Sequence, residues 1–351
     1  MANAWIQWST LPNMSIPETW TDGFTGQGVT VAVLVNFGHA DLRKAVDSRI
    51  SYNFVDVGAT IKPKPGNDQT HGTRCAGIIA MTANNSMCGI GVAYNVKLGG
   101  LKMLDESQIL NDAIEGDSLA YKSDLIDIYS ASWGPRDDGR SAERPGSLAQ
   151  KALDYGATHA ILQGRHGLGS IYVWASGNGG MEDDDCAMDG YASNLHTITL
   201  GVASSLGTPP WYAEGCSAVL ASVTEGTEGT EASTGMVTTD VGNKCVRFSG
   251  SSAAAPLGAG VIALALEANP LLSQRDVQHL IVRSSVEQSL VKAFPSQWVI
   301  NGAGLPFSRY LGYGVLNAQK LTKAAKKWKR VGPLSSCAKE IAVSNGFVRN
   351  L

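Results

Sequence analysis

Four short apolar runs govern what this chain can fold into: VTVAVLV (29–35), LIDIYSAS (125–132), SIYVWAS (170–176) and HTITLGV (196–202). None alternates cleanly between apolar and polar residues, so each reads as a strand buried on both faces. Helical patterns stand between or after them. HGTRCAGIIAMTA starts at His71 with small residues suited to close packing, and SLAQKALDYGATHAI follows the second strand. AAAPLGAGVIALALEANP begins just after Ser252 and stops at Pro270. In SQRDVQHLIVRSS, Ser273 is the N-cap, Asp276 stands three residues on, and Val277, Leu280 and Ile281 share one face. Strands alternating with helices in this way imply an α/β fold, with a mostly parallel central sheet covered by helices on both faces. A ligand site in such a sheet lies at the carboxyl ends of the strands.

With 351 residues, 44% of them hydrophobic, the chain fits one large domain or one with a small appendage. A net charge of -3 gives no electrostatic reason to expect nucleic acid as a partner. The start, MANAWIQWST, lacks the basic and apolar stretches of a signal peptide. The most apolar run, 256–268, is broken by glycines and too short for a membrane segment. The six cysteines form no CxxC pair, so zinc-site spacing is absent and spacing alone leaves the disulfide pairing open. Sequons at Asn13 and Asn84 are compatible with a secretory route. The polar tract 224–234 reads as an exposed loop, and the basic stretch 320–333 as a possible domain boundary.

Three places could carry chemistry. His71 opens a small-residue helix, where a general base could be held rigidly; a lone His-Gly pair is more often a capping or core histidine. Ser252 begins a long helix whose first backbone N–H groups converge and can stabilise an oxyanion, although an ordinary N-cap has the same pattern. Asn178 ends a buried strand among glycines, where turn asparagines are also common.

Their chain order, an acid position, then His, then Ser, is the order of the subtilisin triad. The chain also contains HGTRCAG, YSASWGP, DDG, VWASGNGG, DGY and VTTD, and from about residue 20 to 325 it resembles a subtilisin-like serine protease of the kexin and furin branch of proprotein convertases. The resemblance implies a subtilisin-like catalytic domain over 1–325, then a basic linker and the truncated start of a P domain over 326–351. It implies His71 as general base, Ser252 as nucleophile, and Asn178 with the Ser252 N–H as oxyanion hole. Asp137 and Asp189 would hold the arginine before the cut bond, Asp68 would read the next basic residue, and Glu115 and Glu143 would act further along the cleft. Calcium is the implied cofactor, at Asp137, Asp184 and Glu214 and at a second site that includes Asp41 and Asn85. Cys88–Cys245 and Cys186–Cys216 are the implied disulfides, with Cys75 a free thiol near His71. The implied partners are polypeptides with basic motifs, an inhibitory prodomain and a P domain, in the Golgi or outside the cell.

Three substitutions depart from the pattern. In VAVLVNFGHADL, Asn36 stands on the catalytic acid and Phe37 on a neighbouring acid that helps bind the second basic residue. Arg136 precedes Asp137 where the family usually has an acid. A weakened endopeptidase is the leading expectation, and a non-catalytic homologue that binds basic peptides or a partner protease is its rival. An α/β-hydrolase is disfavoured, because Ser252 lacks a G-x-S-x-G elbow.

Overall fold

The computed structural model describes residues 14–63, 69–104, 111–157, 164–204, 206–225, 235–286, 288–332 and 334. Its centre is a seven-stranded sheet of β1 (Thr30–Val33), β2 (Tyr52–Asn53), β3 (Lys97–Lys102), β4 (Ile128–Ala131), β5 (Ile171–Ala175), β6 (Thr197–Ala203) and β7 (Val219–Thr224). The order is β2-β3-β1-β4-β5-β6-β7, and every pairing in it is parallel. An antiparallel ribbon, β8 (Met236–Asp240) with β9 (Lys244–Phe248), lies outside this sheet. The main helices are α1 (Ile16–Thr21), α2 (His71–Ala80), α3 (Asp112–Ala120), α4 (Ser147–Ala157), α5 (Ser251–Ala268), α6 (Gln274–Ser284), α7 (Gln288–Ala293) and α8 (Ala318–Ala325).

All residues of β5 and β6 are buried, as expected of strands covered on both faces. Successive side chains of β5 enter opposite layers: Ile171 and Val173 join the core with α2 and α5, whereas Tyr172 and Trp174 join the core with Leu119 of α3 and Leu153 of α4. Small residues set the depth at which α5 sits. A Cβ on Gly258 would fall 1.9 Å from Leu200 Cδ1, and one on Gly260 would fall 2.7 Å from Val92 Cβ. By length and composition α5 could cross a membrane (18 residues, mean hydropathy 1.4), but 83% of it is buried inside the fold, and it serves as a core helix.

Both expected disulfides form: Cys88–Cys245 ties the loop after α2 to β9, and Cys186–Cys216 closes the segment around β6. Cys75 is free and buried, and Cys337 lies outside the described residues.

The capping box expected at Ser273 and Asp276 is present, with the Ser273 hydroxyl accepting from Asp276 N and the Asp276 carboxylate accepting from Ser273 N at 2.9 Å. The fully buried Asp276 does more than cap α6. Its Oδ1 accepts from Trp328 Nε1 at 2.9 Å and from Val331 N at 2.8 Å, so the basic stretch after α8 docks onto α6. Asp276→Ala removes the carboxylate half of the capping box and strands the N–H groups of Ser273, Trp328 and Val331, and should cost about 2–4 kcal/mol of unfolding free energy in urea denaturation, with 328–331 becoming protease-sensitive first.

Candidate active site

The sheet and two helices bring together residues that are far apart in sequence. Asn36 follows the end of β1, and α2 begins beside it. A Cβ on Gly72 would lie 2.1 Å from the Asn36 carbonyl oxygen, so the glycine after His71 is what lets the helix start approach this closely. The His71 ring packs edge-on against Phe248 at 5.5 Å between centroids. Its Nδ1 lies 4.0 Å from Sγ of Cys75, one helical turn on. The same Sγ is 3.6 Å from the Ser252 carbonyl oxygen, which also accepts from Ser132 Oγ at 3.0 Å. Cys75 therefore sits between the two helix starts, and burial pushes its thiol up to about 12, so it stays protonated and inert as a nucleophile.

Asn36 Nδ2 donates to Gln69 Oε1 at 2.6 Å. Among the described residues no hydrogen bond joins Asn36 to His71 or His71 to Ser252; in ligand-free enzymes such bonds often tighten only when substrate binds. Burial first, and the charge of Arg74 second, hold the His71 imidazole below its usual value. An NMR titration of His71 should therefore have its midpoint below 6.5. The direction matters because a base works only when deprotonated, so a lowered value keeps it competent at more acidic pH.

Ser252 is the second residue of α5, behind the N-cap Gly250 at φ 90°, a left-handed conformation that favours glycine. Asn178 Oδ1 accepts from Ser251 N at 2.9 Å. This bond fixes the amide by its oxygen, and among the described residues Nδ2 has no acceptor. The first-turn N–H of Ser252 is likewise one that an α-helix leaves unpaired.

Ser252, Ser251 and Asn178 line a cavity of about 320 Å³ together with Trp133, Arg136, Asp137 and Asp189. Burial raises Asp189 to about 6 against the opposing pull of the Tyr191 and Ala192 N–H groups, and Asp137 and Asp184 push it further. Arg136 is at this cavity, as its place beside Asp137 required. Glu115 is buried: Tyr191 OH donates to its Oε2, while Tyr191 N donates to Asp189 Oδ1 at 2.6 Å. Glu143 is exposed, and its carbonyl oxygen accepts from Gly190 N at 2.8 Å. Asp68 lies outside the described residues. Phe37, aligned with a substrate-binding acid, is a core residue at 1% exposure.

Asp137, Asp184 and Glu214 offer carboxylate oxygens within 4.8 Å of one another. Burial, then repulsion by Asp137, Asp184 and Asp189, raises Glu214 to about 8 even though Gly179 N donates to it. Crowded hard-oxygen donors with a raised affinity for a proton suit a calcium ion. The Asp41–Asn85 pair is less complete. Asn85 turns its Nδ2 toward Asp41 Oδ1, and only Oδ2 of the buried Asp41 is left without a hydrogen-bond partner for a cation.

Two residues of the site gave no signal in the sequence. Glu225, 7% exposed, accepts from Gly250 N at 3.0 Å and from Tyr212 OH, while the Tyr212 carbonyl accepts from Gly180 N at 3.0 Å. A buried acid thus braces the start of α5 against the segment after Asn178. Gln69 is the other. Glu225 follows directly on β7 at the head of a polar tract that reads as an exposed loop, and nothing local marks Gln69.

Comparison with known proteins is consistent with this geometry. The sequence profile of the subtilase family matches residues 26–314. The chain is 46% identical to endoprotease aex-5 of Caenorhabditis elegans over 98% of its length and 61% of the relative's. It is 45% identical to furin-1 of Xenopus laevis over 92% of its length and 40% of the relative's. With human proprotein convertase subtilisin/kexin type 4 the identity is 43%, over 93% of the chain and 43% of the relative. The chain thus spans between 40% and 61% of these relatives. The solved structure of a serine protease from Aeromonas sobria superposes with a TM-score of 0.74 at 24% identity, covering 89% of this chain and 62% of the other, a likeness of fold.

Proposed function

This chain belongs to the subtilase family, in its kexin and furin branch, and from that premise we propose that it is a serine endopeptidase that processes proproteins by cutting after arginine in secretory compartments. Ser252 Oγ attacks the scissile carbonyl while His71 Nε2 takes its proton; His71 then returns the proton to the leaving amine, and water repeats the cycle on the acyl-enzyme. Asn178 Nδ2 and the Ser252 N–H stabilise the oxyanion. The observation that carries the reading is the bond from Ser251 N to Asn178 Oδ1, which leaves the amide N–H₂ for the developing charge beside the nucleophile.

An arginine side chain in the cavity would meet Asp137 and Asp189, whose carboxylates suit a planar guanidinium. Arg136 opposes a second cation at the mouth, and Phe37 supplies no charge, so selection beyond the first arginine should be weak. Asp137, Asp184 and Glu214 would hold calcium, which would offset the charge of the crowded carboxylates at and beside the pocket. The two disulfides fit an oxidising compartment. Inhibition by a prodomain and support by a P domain are proposed as partnerships of the longer relatives.

The test is hydrolysis of a fluorogenic peptide ending in Arg-X-Lys-Arg, with calcium and with a chelator. Slow, calcium-dependent cleavage that Ser252→Ala abolishes supports the proposal. Folded protein that binds the peptide, with no cleavage by the parent or by Asn36→Asp, would establish a peptide-binding homologue in its place.

A further inference from the structure

An asparagine in the place of a triad acid creates a tautomer problem. If its N–H₂ group faces imidazole Nδ1, that nitrogen must accept, the ring proton moves to Nε2, and the lone pair that should take the serine proton is gone. In this chain the N–H₂ group is anchored on one side: Asn36 Nδ2 donates to Gln69 Oε1 at 2.6 Å, and Gln69 lies two residues before His71 in the approach to α2. Asn36 is only 6% exposed, so water competes little for that bond. The bond uses one of the two amide N–H donors and fixes which way round the amide sits, with Nδ2 toward Gln69 and Oδ1 on the opposite arm.

The other groups around the ring cannot do this work. Cys75 Sγ is 4.0 Å from Nδ1, and its thiol is protonated and a weak acceptor. Phe248 presents an aromatic ring, and Arg74 brings a positive charge.

We propose that Gln69 is a positioning residue: by anchoring Nδ2 it holds the Asn36 amide the way round that presents Oδ1 to His71 Nδ1–H, keeping the proton on Nδ1 and the lone pair on Nε2 for the Ser252 hydroxyl. This rests on the roles proposed above for Asn36, His71 and Ser252. It accounts for how a triad without its acid retains the right tautomer, and it restores orientation without restoring charge. The arrangement is specific to a glutamine–asparagine pair, because an aspartate has no N–H₂ group to misdirect.

The test combines a spectrum with kinetics. ¹⁵N-histidine NMR of the whole chain, with His71 assigned by difference from His71→Ala, should show Nδ1 protonated and Nε2 unprotonated near neutral pH. In Gln69→Leu, which removes the acceptor, the tautomers should mix or invert, and kcat on the arginyl peptide should fall about 10- to 100-fold with KM little changed. Gln69→Glu keeps an acceptor and should recover most of that loss. In the Asn36→Asp background Gln69→Leu should lose most of its effect. Thermal midpoints of each variant separate misfolding from mispositioning. A parent His71 protonated on Nε2, or a tautomer unmoved by Gln69→Leu, overturns the inference. If no variant cleaves, Asn36→Asp included, the proposed activity falls, while the spectrum still decides the role of Gln69.

Discussion

Asn36→Asp is expected to raise kcat/KM for an arginyl peptide by about 10²- to 10⁴-fold, with the upper bound set by the full loss of a triad acid. Two terms add in this substitution. A carboxylate stabilises the imidazolium that forms as Ser252 is deprotonated, which a neutral amide cannot do at any orientation. It also removes dependence on Gln69 for the tautomer. If Gln69 already secures the tautomer in the parent, the gain is the charge term alone and falls toward the lower bound. The His71 midpoint should rise at the same time, because a nearby negative charge favours the protonated ring. The acid limb of the pH–rate profile would then move upward. Unchanged kinetics in a folded Asn36→Asp variant would mean that position 36 does not address His71.

The second large effect lies in the cavity. Asp189→Asn should lower kcat/KM for peptides with arginine before the cut bond by roughly 30- to 5,000-fold, which corresponds to the loss of about 2–5 kcal/mol when one partner of a desolvated charge pair is removed. The backbone N–H groups of Tyr191 and Ala192 that hold Asp189 would still find the amide oxygen, so the pocket should keep its shape and lose its charge. Peptides with a neutral residue at that position should be cut at nearly parental rate. An equal loss on arginyl and neutral peptides would point to collapse of the pocket instead of lost recognition.

How much of this could be read from sequence differs by element. The four apolar runs correspond to β1, β4, β5 and β6, and the helix starts at His71, near Ser252 and after Ser273 were equally legible, because each lies in a periodic or capped segment. β3 was not. Its sequence, KLGGLK, has no apolar run, because the space its side chains would fill is taken: a Cβ on Gly99 would lie 2.1 Å from the Ile50 carbonyl, and one on Gly100 would lie 2.6 Å from Ile61 Cδ1. Phe37 was aligned with a substrate acid, yet burial made it part of the core. Asn36, His71, Asn178 and Ser252 could be singled out through their motifs. The Asn36–Gln69 and Glu225–Gly250 bonds could not, since both depend on how separate segments meet.

The all-parallel sheet also bears on when the site can exist. Every neighbouring pair of its strands is parallel, so no pairing is closed by a hairpin, all are non-local, and topologies of this kind fold slowly. In chain order the Asn36 and His71 segments precede α5, which carries Ser252 and fills the centre of the first core. In the proposed roles, a half-folded chain would hold a base with no nucleophile beside it. Under the proposed mechanism, proteolytic competence would be a property of the finished sheet, and an unfolded chain would be unable to cut itself or its neighbours.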